Sequence, residues 1–154
     1  MAMYLKIDGS GADALKKSLS LLKDRRVLIG IPQASDQARG QITNVELAFI
    51  MTNGSPKHGI PPRPFLEPAL EDKDTQDKIA REMGKGFQAA INGNEAGITE
   101  ALSAAGIVGQ NAVKSKIASS VPPPNKPETV KRKGSAVTLI DTGNLQGAIT
   151  YVVE

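Results

Sequence analysis

Four prolines fall within eight residues at Pro61, Pro62, Pro64 and Pro68, inside the stretch Gly59-Ile60-Pro61-Pro62-Arg63-Pro64-Phe65-Leu66-Glu67-Pro68-Ala69-Leu70. Each proline fixes φ and removes a backbone donor, so residues 60–65 cannot form a helix or a central strand. They must run as an extended arm. The arm carries Ile60, Phe65 and Leu66, apolar groups each worth roughly 1.5 to 3 kcal/mol when fully buried. It therefore needs a surface to dock on, in its own domain or on a neighbouring subunit. The candidate interface residues are Ile60, Arg63, Phe65 and Leu66.

A chain of 154 residues predicts one domain, 1–154, large enough for one core. Within it, 54–67 is the proline-rich arm and 121–136 a long basic loop. Hydrophobic content of 40% and 23% charged residues of both signs argue for a folded chain. A formal net charge of +3 is far from that of a dedicated nucleic-acid binder, although contact with phosphates stays open. Without cysteine there is no disulfide frame and no thiolate metal site, which suits a reducing cytoplasm. No signal peptide and no apolar run of about 18 residues is seen, so membrane insertion is not expected.

Along the chain, alternation over residues 3–7 predicts a short edge strand. Leu15, Leu19 and Leu22 mark an amphipathic helix over 12–23 that should lie on a sheet. The run 27–31, stopped by Pro32, predicts a buried strand, and 33–41 a polar loop. Thr43 and Glu46 have the spacing of a capping box, with Ile42 and Leu47 as staple, starting a helix that runs to about Thr52. Asn53-Gly54 supplies its left-handed stop. After the arm, Pro68 suits the first turn of a long helix on which Ile79, Met83 and Phe87 recur every four positions. A second long helix over 95–120 carries Ile98, Leu102 and Ala105, and its glycines suggest close approach to another backbone. The runs 137–140 and 148–153 are rich in β-formers and predict an antiparallel pair. The expected fold class is α+β, a small antiparallel sheet packed with two long helices and shorter ones, with the extended arm and a long flexible loop.

Catalytic constellations do not assemble. Asp141-Thr142-Gly143 is the triplet of aspartic proteases, which bring two such carboxylates together. Only 11 residues follow the triplet, and most of the chain before it reads helical. A turn in which Asp141 or Thr142 caps a short helix accounts for it. His58 is the single histidine, so any triad or histidine metal reading rests on one loop residue beside Gly59, which reads as structural or solvent-exposed. Glu71, Asp72, Asp74 and Asp77 suit the positive end of a solvated helix, with Asp77 spaced to pair with Arg81; a cation site is the alternative. Gly84-Lys85 lacks the upstream glycine of a phosphate loop, so no cofactor is expected. Lys126, Lys131, Arg132 and Lys133 form a basic loop suited to docking a partner or to sequence-blind contact with DNA phosphates. The aromatic residues, five in all, are too few for a base-stacking platform.

Two stretches carry a resemblance. Residues 45–50 with Ile60-Pro61-Pro62-Arg63-Pro64-Phe65-Leu66, and then Pro122-Pro123-Pro124-Asn125-Lys126-Pro127 through Ser135 into Leu139-Ile140-Asp141-Thr142-Gly143-Asn144-Leu145 and Ile149-Thr150-Tyr151, resemble the tail-component or neck proteins of tailed bacteriophages. The likeness runs in the same order over roughly residues 27–154. Where that family commonly has a Glu-Phe-Gly-like triplet after the short helix, this chain has Met51-Thr52-Asn53-Gly54. The resemblance implies a structural, non-enzymatic virion protein of head-to-tail joining and tail completion, made in the host cytoplasm. It implies a homo-oligomeric ring, sixfold, between the portal side of the capsid and the tail tube, touching other neck, connector and tail-tube proteins, with DNA passing through the lumen. A ring needs a heterologous interface, one patch fitting a different patch on the next copy. The alternative is a small DNA-associated protein acting through the basic loop.

Overall fold

The computed structural model describes residues 10–154, so the strand expected over 3–7 lies outside the described residues. The fold is α+β, organised on a hairpin of two long helices. Helix α4 (Lys73–Ile91) and helix α5 (Glu95–Ala118) are joined by a turn in which Gly93 takes φ 66°. Asn94 starts α5, its Oδ1 accepting from the Gly97 N–H at 3.0 Å. The face of α4 against α5 carries small residues, Thr75, Gly86 and Ala90, and a Cβ at Gly86 would sit 3.2 Å from the Ala101 Cβ.

That packing corrects the stripe expected on α4. Ile79 is half-buried, whereas Met83 and Phe87 are 50% and 48% exposed. A four-residue repeat drifts by about 40° per step on a helix of 3.6 residues per turn. It leaves the contact face after Ile79, and Gly86 and Ala90 take over. The single long helix expected from Pro68 is also two helices, α3 (Leu66–Leu70) and α4. The break lies at Asp72, whose Oδ2 accepts from the Thr75 N–H at 3.0 Å and from the Thr75 hydroxyl at 3.2 Å. A side chain that satisfies the free N–H groups of a first turn begins a new helix.

Helix α5 buries Ile98, Ala101, Leu102, Ala105, Gly106, Gly109, Val113 and Ile117. Besides α4 it packs against a two-stranded antiparallel sheet, β1 (Val27–Gly30) with β4 (Thr150–Val153), in the register Val27 to Val153 and Ile29 to Tyr151. The α5 glycines admit side chains of this sheet rather than another backbone: a Cβ at Gly106 would enter the Tyr151 ring, and one at Gly109 would strike the Ile29 Cδ1. Beyond the strands, Arg26 and Glu154 exchange backbone hydrogen bonds at 2.9 and 3.0 Å, and their side chains pair at 2.6 Å.

The strand partner of β4 differs from expectation. Residues 137–140 form no strand, because their groups are committed elsewhere. Leu139 is in the core, the Thr138 hydroxyl donates to the Val121 carbonyl at 2.8 Å, and the carbonyls of Val137 and Thr138 accept from Lys133. Residues 33–41, read as a loop, hold a 3-10 turn (Gln33–Ser35) and the start of a small hairpin, β2 (Ala38–Arg39) with β3 (Ile42–Thr43). Helix α1 (Ser10–Ser20) packs on α4 instead of on a sheet. Leu21 and Leu22, just after it, pack on Ala90, Ile98 and Leu102.

Helix α2 (Asn44–Asn53) has the expected capping box, with the Thr43 Oγ1 accepting from the Glu46 N–H at 3.2 Å and the Glu46 Oε2 from the Thr43 N–H at 2.8 Å. Gly54 ends it by donating to the Ile50 carbonyl at 2.8 Å. Its φ of 75° is positive as expected, but its ψ of 175° sends the chain out extended instead of into the left-handed helical region.

Candidate functional site: the junction of arm and basic loop

Gly54 is where the arm begins to be built. A Cβ there would lie 2.8 Å from the Pro62 N and 2.9 Å from the Ile60 carbonyl oxygen. Only glycine allows the arm to fold back so closely over the end of α2. Between them, Ser55 and Ile60 exchange backbone hydrogen bonds at 2.7 and 3.0 Å, closing a loop with a 3-10 turn (Pro56–His58) at its tip. His58 is exposed, with its Nδ1 2.9 Å from the Ser55 Oγ, a contact internal to this loop.

The arm then lies on its own domain. The Arg63 N–H donates to the Met51 carbonyl at 2.7 Å. Phe65, 2% exposed, enters the core formed by Val113, Ile117, Val121, Leu139, Leu145 and Ile149. Leu66 packs on the same core from its edge, and Ile60 is half-buried. Of the four candidate interface residues, Phe65 and Arg63 are thus covered by the chain itself, while Ile60 and Leu66 keep part of their surface open.

Arg63, 6% exposed, brings the two regions of interest together. Its Nε–H donates to the Pro123 carbonyl at 2.8 Å and its Nη2 to the Pro124 carbonyl at 3.2 Å. The Pro122–Pro123 bond is cis. Burial holds the Arg63 guanidinium below the ordinary arginine value. The region expected as a flexible loop contains helix α6 (Pro127–Lys133), with Pro127 in its first turn and Gly134, φ 69°, closing it through an N–H to the Val130 carbonyl at 2.9 Å. Proline at the start and glycine just past the end are the residues that such a short helix needs.

The basic residues have different roles within this junction. Lys131, Arg132 and Lys133 occupy the last turn of α6, the end at which unpaired carbonyls favour cations. Lys131, Arg132 and Lys126 are exposed, and the Lys126 Nζ is 4.0 Å from where a Cβ of Gly59 would be. Lys133 turns inward, its Nζ donating to the Val137 and Thr138 carbonyls at 3.3 and 3.2 Å. Burial pushes its ammonium below the ordinary lysine value; nearby Asp141 opposes that, while Arg63 and Arg132 add to it.

The remaining candidates resolve as local structure. Gly143, φ 79°, holds the N-cap position of helix α7 (Asn144–Ala148), so Asp141 and Thr142 precede the cap expected of them. At the start of α4, Asp77 pairs with Lys73 at 3.2 Å, one turn before it, rather than with Arg81, and Asp74 pairs with Lys78. Among the described residues no group of three or more His, Asp or Glu is placed to hold a metal ion, and no helix is long and apolar enough to cross a membrane.

Two surface features are not evident from the sequence. A groove of about 280 Å³ lies between α2 and the end of β1, lined by Gly30, Ile31, Val45, Ala48, Phe65 and Leu66 among others, with Phe49 on its rim 69% exposed. Along one flank of α4, beside the face that meets α5, Met83, Phe87 and Ile91 form an exposed apolar stripe. The spacing of Met83 and Phe87 is visible in the sequence, but a stripe alone does not say whether it faces a core or solvent. Comparison of the chain with protein-family models, with curated proteins and with solved structures finds no match.

Proposed function

We propose that this chain is a structural subunit of the neck of a tailed-bacteriophage virion, acting in head-to-tail joining or tail completion as part of a sixfold ring between portal and tail tube. One observation carries the reading: the Arg63 contacts with Pro123 and Pro124 join the two separated stretches on which the resemblance rests into one unit. Stretches that belong to one site have a reason to occur together in one chain. The exposed Phe49, Met83, Phe87 and Ile91 give such a subunit apolar surface for neighbours. The two apolar surfaces use different elements, α2 with β1 and α4, as a heterologous interface requires.

The test is to delete the coding sequence from the phage or prophage and image the lysate. Free heads and unattached tails, rescued by supplying the chain, are the expected outcome. Normal joined particles, with no such chain in purified virions, would sink the reading.

A second reading, contact with DNA phosphates, draws on the exposed Lys126, Lys131 and Arg132. Their replacement by glutamine would then remove DNA retention at low salt. Particle assembly would depend little on the same three residues under the first reading. Lys133 is unsuitable for this test, because its ammonium is already engaged by the Val137 and Thr138 carbonyls.

A further inference from the structure

We propose that residues 122–136 form a hinged strap, latched shut by Arg63, that opens as a unit while the rest of the fold stays intact. The hinge is the pair Val121 and Thr138, both buried and joined by the 2.8 Å hydrogen bond from the Thr138 hydroxyl to the Val121 carbonyl. Between them, no residue of α6 is fully buried, Thr129, Val130 and Lys133 being half-buried, and none packs on either hydrophobic cluster. Opening the strap therefore sacrifices little apolar burial, which is what gives a segment a low opening free energy.

Polar contacts hold it shut. Arg63 supplies two hydrogen bonds from the body to the strap, and Lys133 supplies two from α6 to the Val137 and Thr138 carbonyls at the hinge. Charged donors make strong hydrogen bonds to carbonyls. Against this, Arg63 is buried on carbonyl dipoles with no carboxylate among the described residues in ion-pair contact, and Lys133 is a second cation close enough to repel it. Opening restores water to both cations. A latch of this kind is strong enough to define the closed state and weak enough to be undone by a partner that offers either cation a better acceptor. Once open, the strap carries Lys126, Lys131 and Arg132 away from the body.

Hydrogen exchange followed by mass spectrometry on the full chain tests this, comparing wild type with R63Q, R63K and K133Q. In the wild type the α6 amides are expected to exchange through a smaller opening than those of α5. R63Q should speed exchange across α6 by about tenfold or more, the factor that about 1.4 kcal/mol gives. The amides of α4 and α5 should stay unchanged, and tryptic cleavage after Lys131 and Arg132 should accelerate in parallel. R63K should fall between, since an ammonium keeps the charge but lacks the fixed planar fork with which the guanidinium meets the two carbonyls. K133Q loosens α6 from the other side of the latch and carries the test if R63Q fails to fold. Exchange of α6 together with α5 in one step, or an equal acceleration of both helices in the variants, would overturn the proposal. So would unchanged α6 exchange in R63Q or K133Q.

Discussion

Tyr151 lays its ring over Gly106, in the space that any Cβ at that position would occupy. Helix α5 thus gives up side chains where the sheet reaches it. A glycine in a helix interior costs about 1 kcal/mol relative to alanine, so Gly106→Ala brings a propensity gain and a collision. The collision is with a ring that β4 holds against α5, and overpacking of this kind costs about 1 to 3 kcal/mol. Urea unfolding is expected to show net destabilisation. Gly84→Ala on α4, where nothing lies within 4 Å of the new Cβ, should stabilise by about 0.5 to 1 kcal/mol. Equal signs for the two variants would contradict the packing described.

Phe65 belongs to the core of its own domain, so truncating it affects the free protein. Phe65→Ala should cost about 3 to 5 kcal/mol, read as a lowered urea midpoint of the isolated chain. Retention of wild-type stability together with loss of particle joining would place the arm's receptor on another subunit.

The Asp72 carboxylate is held below its ordinary pKa by the Thr75 N–H and then by the Thr75 hydroxyl. Its folded pKa is thus lower than its unfolded value of about 3.9, so its contribution is present above that value and disappears as pH falls through the folded pKa. Acid titration of the wild type, followed by helical circular dichroism, should contain a component that Asp72→Ala lacks. The variant should be less stable than wild type at neutral pH and approach it at low pH.

Thr43 and Glu46 close the start of α2 reciprocally. Thr43→Ala should cost about 1 kcal/mol, with faster amide exchange in the first turn of α2 as the local readout. A loss confined to α4 and α5 would show that the cap is not what holds α2.

Several elements are legible in the sequence because their causes are local. The capping box at Thr43 and Glu46, the β-branched run of β1 and the long helix α5 appear where spacing and turn residues place them. Pairings across long separations have no such local signal. Nothing near residues 137–140 says that the Thr138 hydroxyl is claimed by the Val121 carbonyl, or that β4 pairs with β1. Nothing near Arg63 names Pro123 as its acceptor. The α4 stripe misleads because Met83 and Phe87 look like core residues, while the neighbouring helix is accommodated by Gly86 and Ala90. The Asp72 cap is readable from Asp72 and Thr75, yet Pro68 offers an earlier helix start.

The pairing of Arg26 with Glu154, 128 positions apart, sets an order in time. The α4–α5 hairpin closes through a short turn and can form while much of the chain is still unstructured, whereas β1 must wait for the last strand. Until then the inner side chains of β1 and the groove of Gly106 and Gly109 that receives Ile29 and Tyr151 stay open to water. Pulse-labelled refolding should protect α5 amides before those of β1. A chain acting as the proposed ring subunit would then become competent to assemble only at the end of its own folding, which separates making the part from joining it.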